Sequence, residues 1–220
     1  MKKRYSYETS KKTKVEFVSL KPNIAKRYVC GPTVYDNSHL GHARSAIACD
    51  LLQRVLKANG YEVVFAKNFT DIDDKIIKKM KEEGKSLEEI TTFYIKNYKN
   101  DMEILNILPN SFEPKATENL DAMKEMIENL LSKDIAYKTD DSVYFDVSKD
   151  KNYGSLSNQA SDENSQARVE INNQKRNSSD FALWKFEKAS DVSFASNFGA
   201  GRPGWHIECS AMIEKHLSYK

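Results

Sequence analysis

The 220-residue sequence lacks the features of several protein classes. It has no apolar run near the roughly 20 residues that a membrane-spanning helix needs. It has three cysteines, and this odd, small number argues against a secreted disulfide framework. The lysine-rich start, Met1 to Arg4, has no apolar stretch behind it and does not resemble a signal peptide. We therefore expect a cytoplasmic protein that does not associate with a membrane.

A strong excess of charge of either sign is also missing. The 34 Lys and Arg residues nearly balance the 32 Asp and Glu residues, which leaves a net charge of +2. No global basic field therefore indicates a nucleic-acid partner, and any such contact has to come from local patches. The length accommodates one domain and a smaller second one. No internal repeat is visible.

The segment from Cys30 to Arg44, CGPTVYDNSHLGHAR, is the most informative part of the chain. The run from Arg27 to Val29 predicts a short strand that ends at Cys30. Gly31 and Pro32 follow it, and both are typical turn residues. The sequence thus places a thiol where a strand stops.

A helix is predicted to follow, from Ser38 to Asn59, because apolar residues recur at helical spacing and Gly60 ends the run. These apolar residues are Leu40, Ala43, Ile47, Leu51 and Val55. The tetrad His39 to His42 then falls in the first turn, where free backbone N–H groups and the positive end of the helix dipole favour an anion. A His-x-x-His pair can equally belong to a solvated helix face.

A second strand is predicted from Glu62 to Thr70, followed by the string TDIDDK at residues 70–75. Strand, helix and strand form one βαβ unit, whose parallel strands end at the same edge of the sheet. We therefore expect Thr70 and Asp71 to lie beside Cys30 and His39. The acidic string can also be a helix N-cap that precedes a helix from Lys75 to Lys81.

A third segment, FGAGRPGWHIECSAM at residues 198–212, combines a glycine-rich loop with the start of a regular element. It contains Cys209, and a free cysteine is most often an inert buried thiol. His206 and Glu208 lie close to it in sequence and are candidate supporting groups for a metal. Cys49, inside the predicted helix, is expected to be a small core residue.

The middle of the chain predicts architecture rather than chemistry. Amphipathic helices are expected at 86–106 and 116–132, a strand at 141–147, and a polar surface loop at 157–177. Order is expected to resume at DFALWK, residues 180–185, with Trp184 in the core. Lys175 and Arg176 form a short basic run that is either solvated or in contact with nucleic acid.

The three segments together resemble a known family. The tetrad His39 to His42, in its strand–turn–helix context, resembles the first nucleotide-binding motif of class I aminoacyl-tRNA synthetases. Cys30 before it, TDIDDK, and the ungapped match to GxGRPGWHIECSAM narrow the resemblance to the cysteinyl-tRNA synthetases. The resemblance covers nearly the whole chain.

The resemblance implies an α/β fold, the first half of a Rossmann-type nucleotide-binding fold interrupted by an α+β connective-peptide insertion. The implied boundaries are 1–112 for the first part of the catalytic domain, 113–195 for the insertion, and 196–220 for the return into the catalytic domain. DFALWK would lead back towards the active site, and Lys175 and Arg176 would lie near the tRNA acceptor end.

The resemblance also implies a reaction, in which ATP activates L-cysteine to cysteinyl-adenylate and the acyl group passes to tRNA(Cys). His39 and His42 would be the catalytic residues. Thr70 and Trp205 would line the cysteine pocket, and Cys30 and Cys209 would bind one Zn²⁺. The ATP site would comprise Pro32, Thr33, Val34, Tyr35, Asp36, Asn37, Ser38, His39, Leu40, Gly41 and His42.

Zinc has a physical rationale in such an enzyme. Apolar contacts separate cysteine from serine by only about 1–3 kcal/mol, whereas Zn²⁺ prefers a thiolate to a hydroxyl as a ligand. Mg²⁺ would accompany ATP, and a monomer is expected.

The resemblance also has gaps and rivals. The family supplies a His and a Glu that complete the zinc site, a KMSKS loop and tRNA-reading helical domains, and none of these lies within these 220 residues. We therefore expect the amino-terminal half of a synthetase. One alternative is a truncated, non-catalytic paralogue that binds cysteine, zinc or tRNA. Another is a ligase of the same superfamily that joins cysteine to an amino-sugar.

Overall fold

The computed structural model describes residues 4–158, 174–187 and 192–218. These ranges contain eight strands, β1 Tyr5–Glu8, β2 Thr13–Glu16, β3 Ile24–Val29, β4 Glu62–Lys67, β5 Ala136–Lys138, β6 Ser142–Phe145, β7 Phe181–Phe186 and β8 Gly201–Pro203. They also contain five α-helices, α1 Leu40–Ala58, α2 Asp74–Glu83, α3 Leu87–Ile104, α4 Leu120–Ser132 and α5 Trp205–Leu217.

The predicted βαβ unit is present. Strands β3 and β4 pair in parallel with Ile24 opposite Glu62 and Val29 opposite Lys67, and α1 connects them. Strand β4 is shorter than predicted and ends at Lys67, but Thr70 still forms a single parallel bridge with Thr33. The carboxyl ends of β3 and β4 therefore lie side by side, as the sequence predicts.

Helix α1 begins two residues later than predicted, at Leu40, with His39 as its N-cap. The prediction that His39 lies inside the first turn is therefore wrong. The buried face of α1 also differs from the apolar pattern in the sequence. Leu40 is 88% exposed and Leu51 62% exposed, whereas the polar residues Asp50 and Gln53 are buried. Asp50 is held there because it accepts hydrogen bonds from Leu108 N at 2.9 Å and Arg54 Nε at 2.6 Å.

Helices α2 and α3 confirm the predictions for residues 75–81 and 86–106. Asp73 caps α2 and accepts from Lys75 N at 2.9 Å, as the N-cap interpretation of TDIDDK requires. Ser86 and Glu89 form a capping box at the start of α3. Apolar residues from these helices pack with the segments that flank α1 and follow β4, namely Val34, Phe69, Ile76, Ile90, Tyr94, Ile95 and Tyr98.

A four-stranded antiparallel sheet, in the order β5-β6-β7-β8, forms the second part of the structure. Helices α4 and α5 pack with it around Trp184, which is fully buried, so the expected core role of that residue is confirmed. Residues 117–119 form a 3₁₀ turn before α4, which shortens the helix predicted at 116–132.

The boundaries at 112/113 and 195/196 remain predictions. Strand β8 lies beyond the second boundary in sequence and pairs with β7, with Trp184 opposite Pro203. The strand predicted at 141–147 is β6, Ser142–Phe145. Most of the loop predicted at 157–177 lies outside the described residues.

No helix in the part of the chain that the structure describes is both long enough and apolar enough to cross a lipid bilayer.

Candidate active site at the carboxyl ends of β3 and β4

The two cysteines that the sequence singled out lie against each other. Cys30 directly follows β3 and Cys209 lies near the start of α5, and their Sγ atoms are 2.8 Å apart although 179 residues separate them. The contact with Cys209 lowers the pKa of Cys30 to about 7. The same contact, together with burial, raises the pKa of Cys209. The two thiols are therefore coupled, and the pKa of Cys30 lies below that of Cys209.

Asn68 joins the two strand ends beneath this pair. Its Oδ1 accepts a hydrogen bond from Gly31 N at 2.8 Å and lies 4.0 Å from Cys209 Sγ. Gly31 has no room for a side chain, because a Cβ there would lie 1.6 Å from the Asn68 carbonyl oxygen. The glycine after Cys30 is thus required by close approach of the β4 segment.

Thr70 continues the connection towards α5. Thr70 N donates to Pro32 O and Val34 N donates to Thr70 O, both at 3.1 Å, which fixes Thr70 beside the loop after β3. Its hydroxyl donates to Glu208 Oε2 at 2.7 Å and accepts from Asn68 Nδ2 at 3.3 Å. Thr70 therefore lies between the segments that carry Cys30 and Cys209.

Glu208 is a buried acid, with 1% of its surface exposed. Burial raises its pKa to about 8, although the hydrogen bond from Thr70 acts in the opposite direction. Sequence reasoning placed it only as a possible supporting group. The structure gives it a direct bond to a predicted pocket residue.

The two histidines cap α1 reciprocally. His39 Nδ1 accepts from Gly41 N at 3.0 Å, and His42 Nδ1 accepts from His39 N at 3.1 Å. A ring nitrogen that accepts a hydrogen bond carries no proton, so Nε2 is the nitrogen available to donate in both rings. Burial, with smaller contributions from His39 and Lys67, lowers the pKa of His42 and favours its neutral form.

The loop from Pro32 to Ser38 is anchored at one end and open at the other. Val34 is buried, and Thr33 bridges to Thr70. Asp36 and Asn37 are exposed, and Asn37 Oδ1 accepts from Asn97 Nδ2 at 2.9 Å. The predicted ATP-binding residues therefore form one continuous segment, with Val34 buried inside it and the histidine pair at its end.

Two nearby residues, Asp71 and His206, have partners outside the cysteine pair. Asp71 was expected beside Cys30, but its carboxylate instead accepts bonds from Thr117 N at 2.9 Å and Thr117 Oγ1 at 2.5 Å. His206 packs its ring against Phe181 with centroids 4.6 Å apart. Trp205 is the first residue of α5, and its side chain lies outside what the structure describes.

A cavity of about 480 Å³ opens on the other side of Glu208, between the start of α2, the β6–β8 sheet and the start of α5. Its walls include the basic residues Lys175, Lys185 and Arg202. Lys185 and Arg202 both pair with Asp74. Much of the positive charge of this cavity is therefore already neutralised.

The donor chemistry of the cysteine pair suits a soft or borderline metal such as Zn²⁺. Two thiolates on one tetrahedral zinc lie about 3.8 Å apart, so the sulfurs would have to separate by about 1 Å from their present contact. Among the described residues, no group of three or more His, Cys, Asp or Glu side chains is placed to hold a metal ion. The pair alone supplies half of a four-coordinate shell.

The chain has close relatives among characterised sequences. Residues 16–220 match the family described as "tRNA synthetases class I (C) catalytic domain". A protein of Aliarcobacter butzleri named "Cysteine--tRNA ligase" is 72% identical over 214 residues, which are 97% of this chain and 46% of that protein. A protein of the same name from Nitratiruptor sp. is 60% identical over 215 residues, with the same coverage of both chains.

The fold also has a solved counterpart. The methionyl-tRNA synthetase of Mycobacterium tuberculosis in complex with methionyl-adenylate is similar over 57% of this chain and 25% of its own, with a TM-score of 0.50 and 18% identity. At that identity the likeness concerns the Rossmann-type fold alone.

The chain spans about half the length of the curated relatives that it matches. The family match nevertheless covers all but its first 15 residues. The chain therefore belongs to the family of class I (C) tRNA synthetase catalytic domains.

Proposed function

We propose that this chain carries the cysteine and ATP sites of a cysteine-tRNA ligase, as the amino-terminal half of that enzyme. The observation that carries the proposal is the pairing of Cys30 and Cys209 at the strand edge from which the loop leads to the histidine-capped start of α1. A thiol-selective site and an anion site thus share one edge of a parallel sheet, where ligands of such sheets bind. The two relatives described above carry the same name.

The ATP site in this proposal is the segment from Pro32 to His42. His39 and His42 would donate from Nε2 to phosphate oxygens while the carboxylate of cysteine attacks the α-phosphorus and pyrophosphate leaves. Their Nδ1 atoms are already occupied by backbone N–H groups, which orients both rings before ATP binds. Gly41 is exposed in the first turn, and a Cβ there would lie 2.8 Å from His39 Cε1, so the glycine leaves room for the His39 ring. No protein nucleophile is needed, because positioning and charge stabilisation suffice.

The cysteine pocket in this proposal consists of Cys30, Cys209, Thr70 and Trp205. Cys30 and Cys209 would hold Zn²⁺, and the bound ion would supply a Lewis acid that selects a thiolate over a hydroxyl. Thr70, fixed between Asn68 and Glu208, would contact the polar end of the amino acid. The other metal ligands would come from residues outside this chain.

The partners in this proposal are L-cysteine, ATP with Mg²⁺, and tRNA(Cys). The predicted division at 112/113 and 195/196 would make the four-stranded sheet region an insertion in the catalytic domain. Lys175 and Arg176, on that insertion, would approach the tRNA acceptor end. A monomer acting in the cytoplasm completes the proposal.

Cysteine-dependent exchange of pyrophosphate into ATP tests this function, measured with this chain and with the complete product of its reading frame. With the complete product we expect exchange with cysteine and not with serine, a loss of at least 100-fold in Cys30→Ser, and little change in the matched variant Cys49→Ser. This chain alone is expected to show far less exchange, because the remaining metal ligands would lie outside it. Exchange that serine supports equally well, or that survives Cys30→Ser, would contradict the proposal.

The acceptor is tested separately. Transfer of the cysteinyl group to tRNA(Cys) supports the synthetase, whereas transfer to an amino-sugar would assign the protein to the rival ligase. Binding of cysteine or tRNA by the complete gene product without any exchange would assign it to the non-catalytic alternative.

A further inference from the structure

We propose that Asn68 and Glu208 are positioning residues that act through Thr70 to hold Cys30 and Cys209 together. One chain of hydrogen bonds runs from Gly31 N to Asn68, from Asn68 to Thr70, and from Thr70 to Glu208. It starts one residue after Cys30 and ends one residue before Cys209. This inference rests on the proposed function in one respect only, which is the identity of the ligand that the cysteine pair binds.

The three side chains in this chain of hydrogen bonds are buried. Asn68 and Glu208 are each 1% exposed and Thr70 is 2% exposed. Water therefore does not replace a lost partner easily, and breaking one link leaves a buried polar group unsatisfied. A bond in this chain has more influence on geometry than the same bond at the surface would.

Other contacts also join β3 and α5, such as the bond from Lys26 Nζ to Leu217 O at 3.1 Å, but the hydrogen bonds through Asn68 and Thr70 begin and end next to the two cysteines. Cys30 follows β3, while Cys209 lies on α5, which follows the four-stranded sheet. Gly31 cannot move closer to Asn68 because the two backbones already touch, and the hydrogen bond from Gly31 N to Asn68 Oδ1 opposes their separation. Asn68 therefore fixes the Cys30 side, and the bond from Thr70 to Glu208 fixes the first turns of α5.

Asn68 has a second property that suits this role. Its Oδ1 accepts from Gly31 N, while its Nδ2 donates to Thr70, so both ends of one amide are used. The same Oδ1 lies 4.0 Å from Cys209 Sγ. Because Asn68 contacts both the segment that carries Cys30 and Cys209 itself, it can set the distance between the two cysteine segments. Neither cysteine can do this alone.

The test measures how strongly the two thiols are held together, without metal or substrate. In a Cys49→Ala background only Cys30 and Cys209 remain. Oxidised glutathione removes two electrons from the pair, forming one intrachain disulfide and releasing two molecules of reduced glutathione. The equilibrium constant gives the effective concentration of one thiol at the other.

We expect Asn68→Ala and Thr70→Val each to lower this effective concentration at least tenfold. The matched control is Thr91→Val, which removes a buried threonine hydroxyl that bonds only within α3. It is expected to stay within threefold of the parent. Thr70→Ser and Glu208→Gln keep the hydroxyl and the acceptor, and are expected to retain most of the parent value.

The double variant Asn68→Ala/Thr70→Val shows whether the two residues act through one series of hydrogen bonds or hold the cysteine pair independently. Because both changes break the same chain, we expect the double variant to match the worse single variant rather than the product of the two effects. If the effective concentration of one thiol at the other is the same in Thr70→Val as in Thr91→Val, the proposal is overturned. If Asn68→Ala does not fold, the comparison of the two threonine variants decides. Suppose that Asn68→Ala and Thr70→Val lower the effective thiol concentration tenfold in a protein that shows no cysteine-dependent exchange. That result would support the positioning role and reject only the proposed function.

Discussion

The substitution Gly31→Ala tests the close approach between the end of β3 and the segment after β4. The new Cβ would lie 1.6 Å from the Asn68 carbonyl oxygen and 2.8 Å from its carbonyl carbon, and both atoms are backbone. The first distance is about half the normal contact distance, so no side-chain rotation relieves it. The end of β3 and the segment after β4 must move apart, which weakens the bond from Gly31 N to Asn68.

Overpacking costs about 1–3 kcal/mol, and the weakened bond adds about 1 kcal/mol. Together they predict a loss of about 2–4 kcal/mol in the free energy of unfolding. In a protein of this size that lowers Tm by about 4–16 °C. Urea unfolding followed by circular dichroism measures the free energy, and a thermal scan measures Tm.

Gly84→Ala provides the matched control. Gly84 has a φ of +63° at the end of α2, and a Cβ there meets nothing within 4 Å. This variant carries the cost of left-handed backbone, about 1–2 kcal/mol, without any clash. If Gly31→Ala costs no more than Gly84→Ala, close approach is not the reason for the glycine at position 31.

Three further changes test other parts of the structure. Burial lowers the pKa of His42 below its ordinary 6.5, so this group stabilises the fold above pH 6.5 and loses that contribution as the pH falls through the lowered value. Urea unfolding at pH 7.5 and 5.5 is expected to show a smaller pH difference in His42→Gln, and an unchanged difference would refute the assignment. Trp184→Ala is expected to cost about 3–5 kcal/mol in urea unfolding, because the indole is fully buried, and a cost below 1 kcal/mol would contradict its core role. Cys49 is half-buried at the edge of a small cluster, so Cys49→Ala is expected to cost about 1 kcal/mol or less, and a cost above 2 kcal/mol would be inconsistent with that setting.

Local signals in the sequence were enough to predict the βαβ unit. The apolar run before Cys30, the helical spacing after Ser38 and the strand from Glu62 each depend on neighbouring residues, and each element is present. The start of α1 was misplaced by two residues because a histidine acts as the N-cap, a role usually filled by Ser, Thr, Asp or Asn. Helix α1 also buries Asp50 and Gln53, which bond to the loop after α3: Asp50 accepts from Leu108 N, and Gln53 Nε2 donates to Pro109 O. Gln53 Oε1 has no hydrogen-bond partner among the described residues.

The candidate site was predicted only as separate residues. Composition and spacing cannot show that Sγ atoms 179 residues apart come within 2.8 Å, and only the family resemblance suggested it. Asn68 was missed altogether. One signal was available, because it is a polar residue directly after an apolar strand, at the edge where ligands of parallel sheets gather. The hairpin of β1 and β2 was also missed, since its short strands are almost entirely exposed and lack a clear alternation.

The reciprocal histidine cap has an energetic consequence for any anion that binds at the start of α1. Folding has already fixed both rings, because each holds a backbone N–H through Nδ1. An arriving phosphate therefore finds two oriented Nε2–H groups and need not break a cap or freeze a rotamer. The entropic cost of ordering the rings falls on folding rather than on binding, so more of the interaction energy is left to hold the anion.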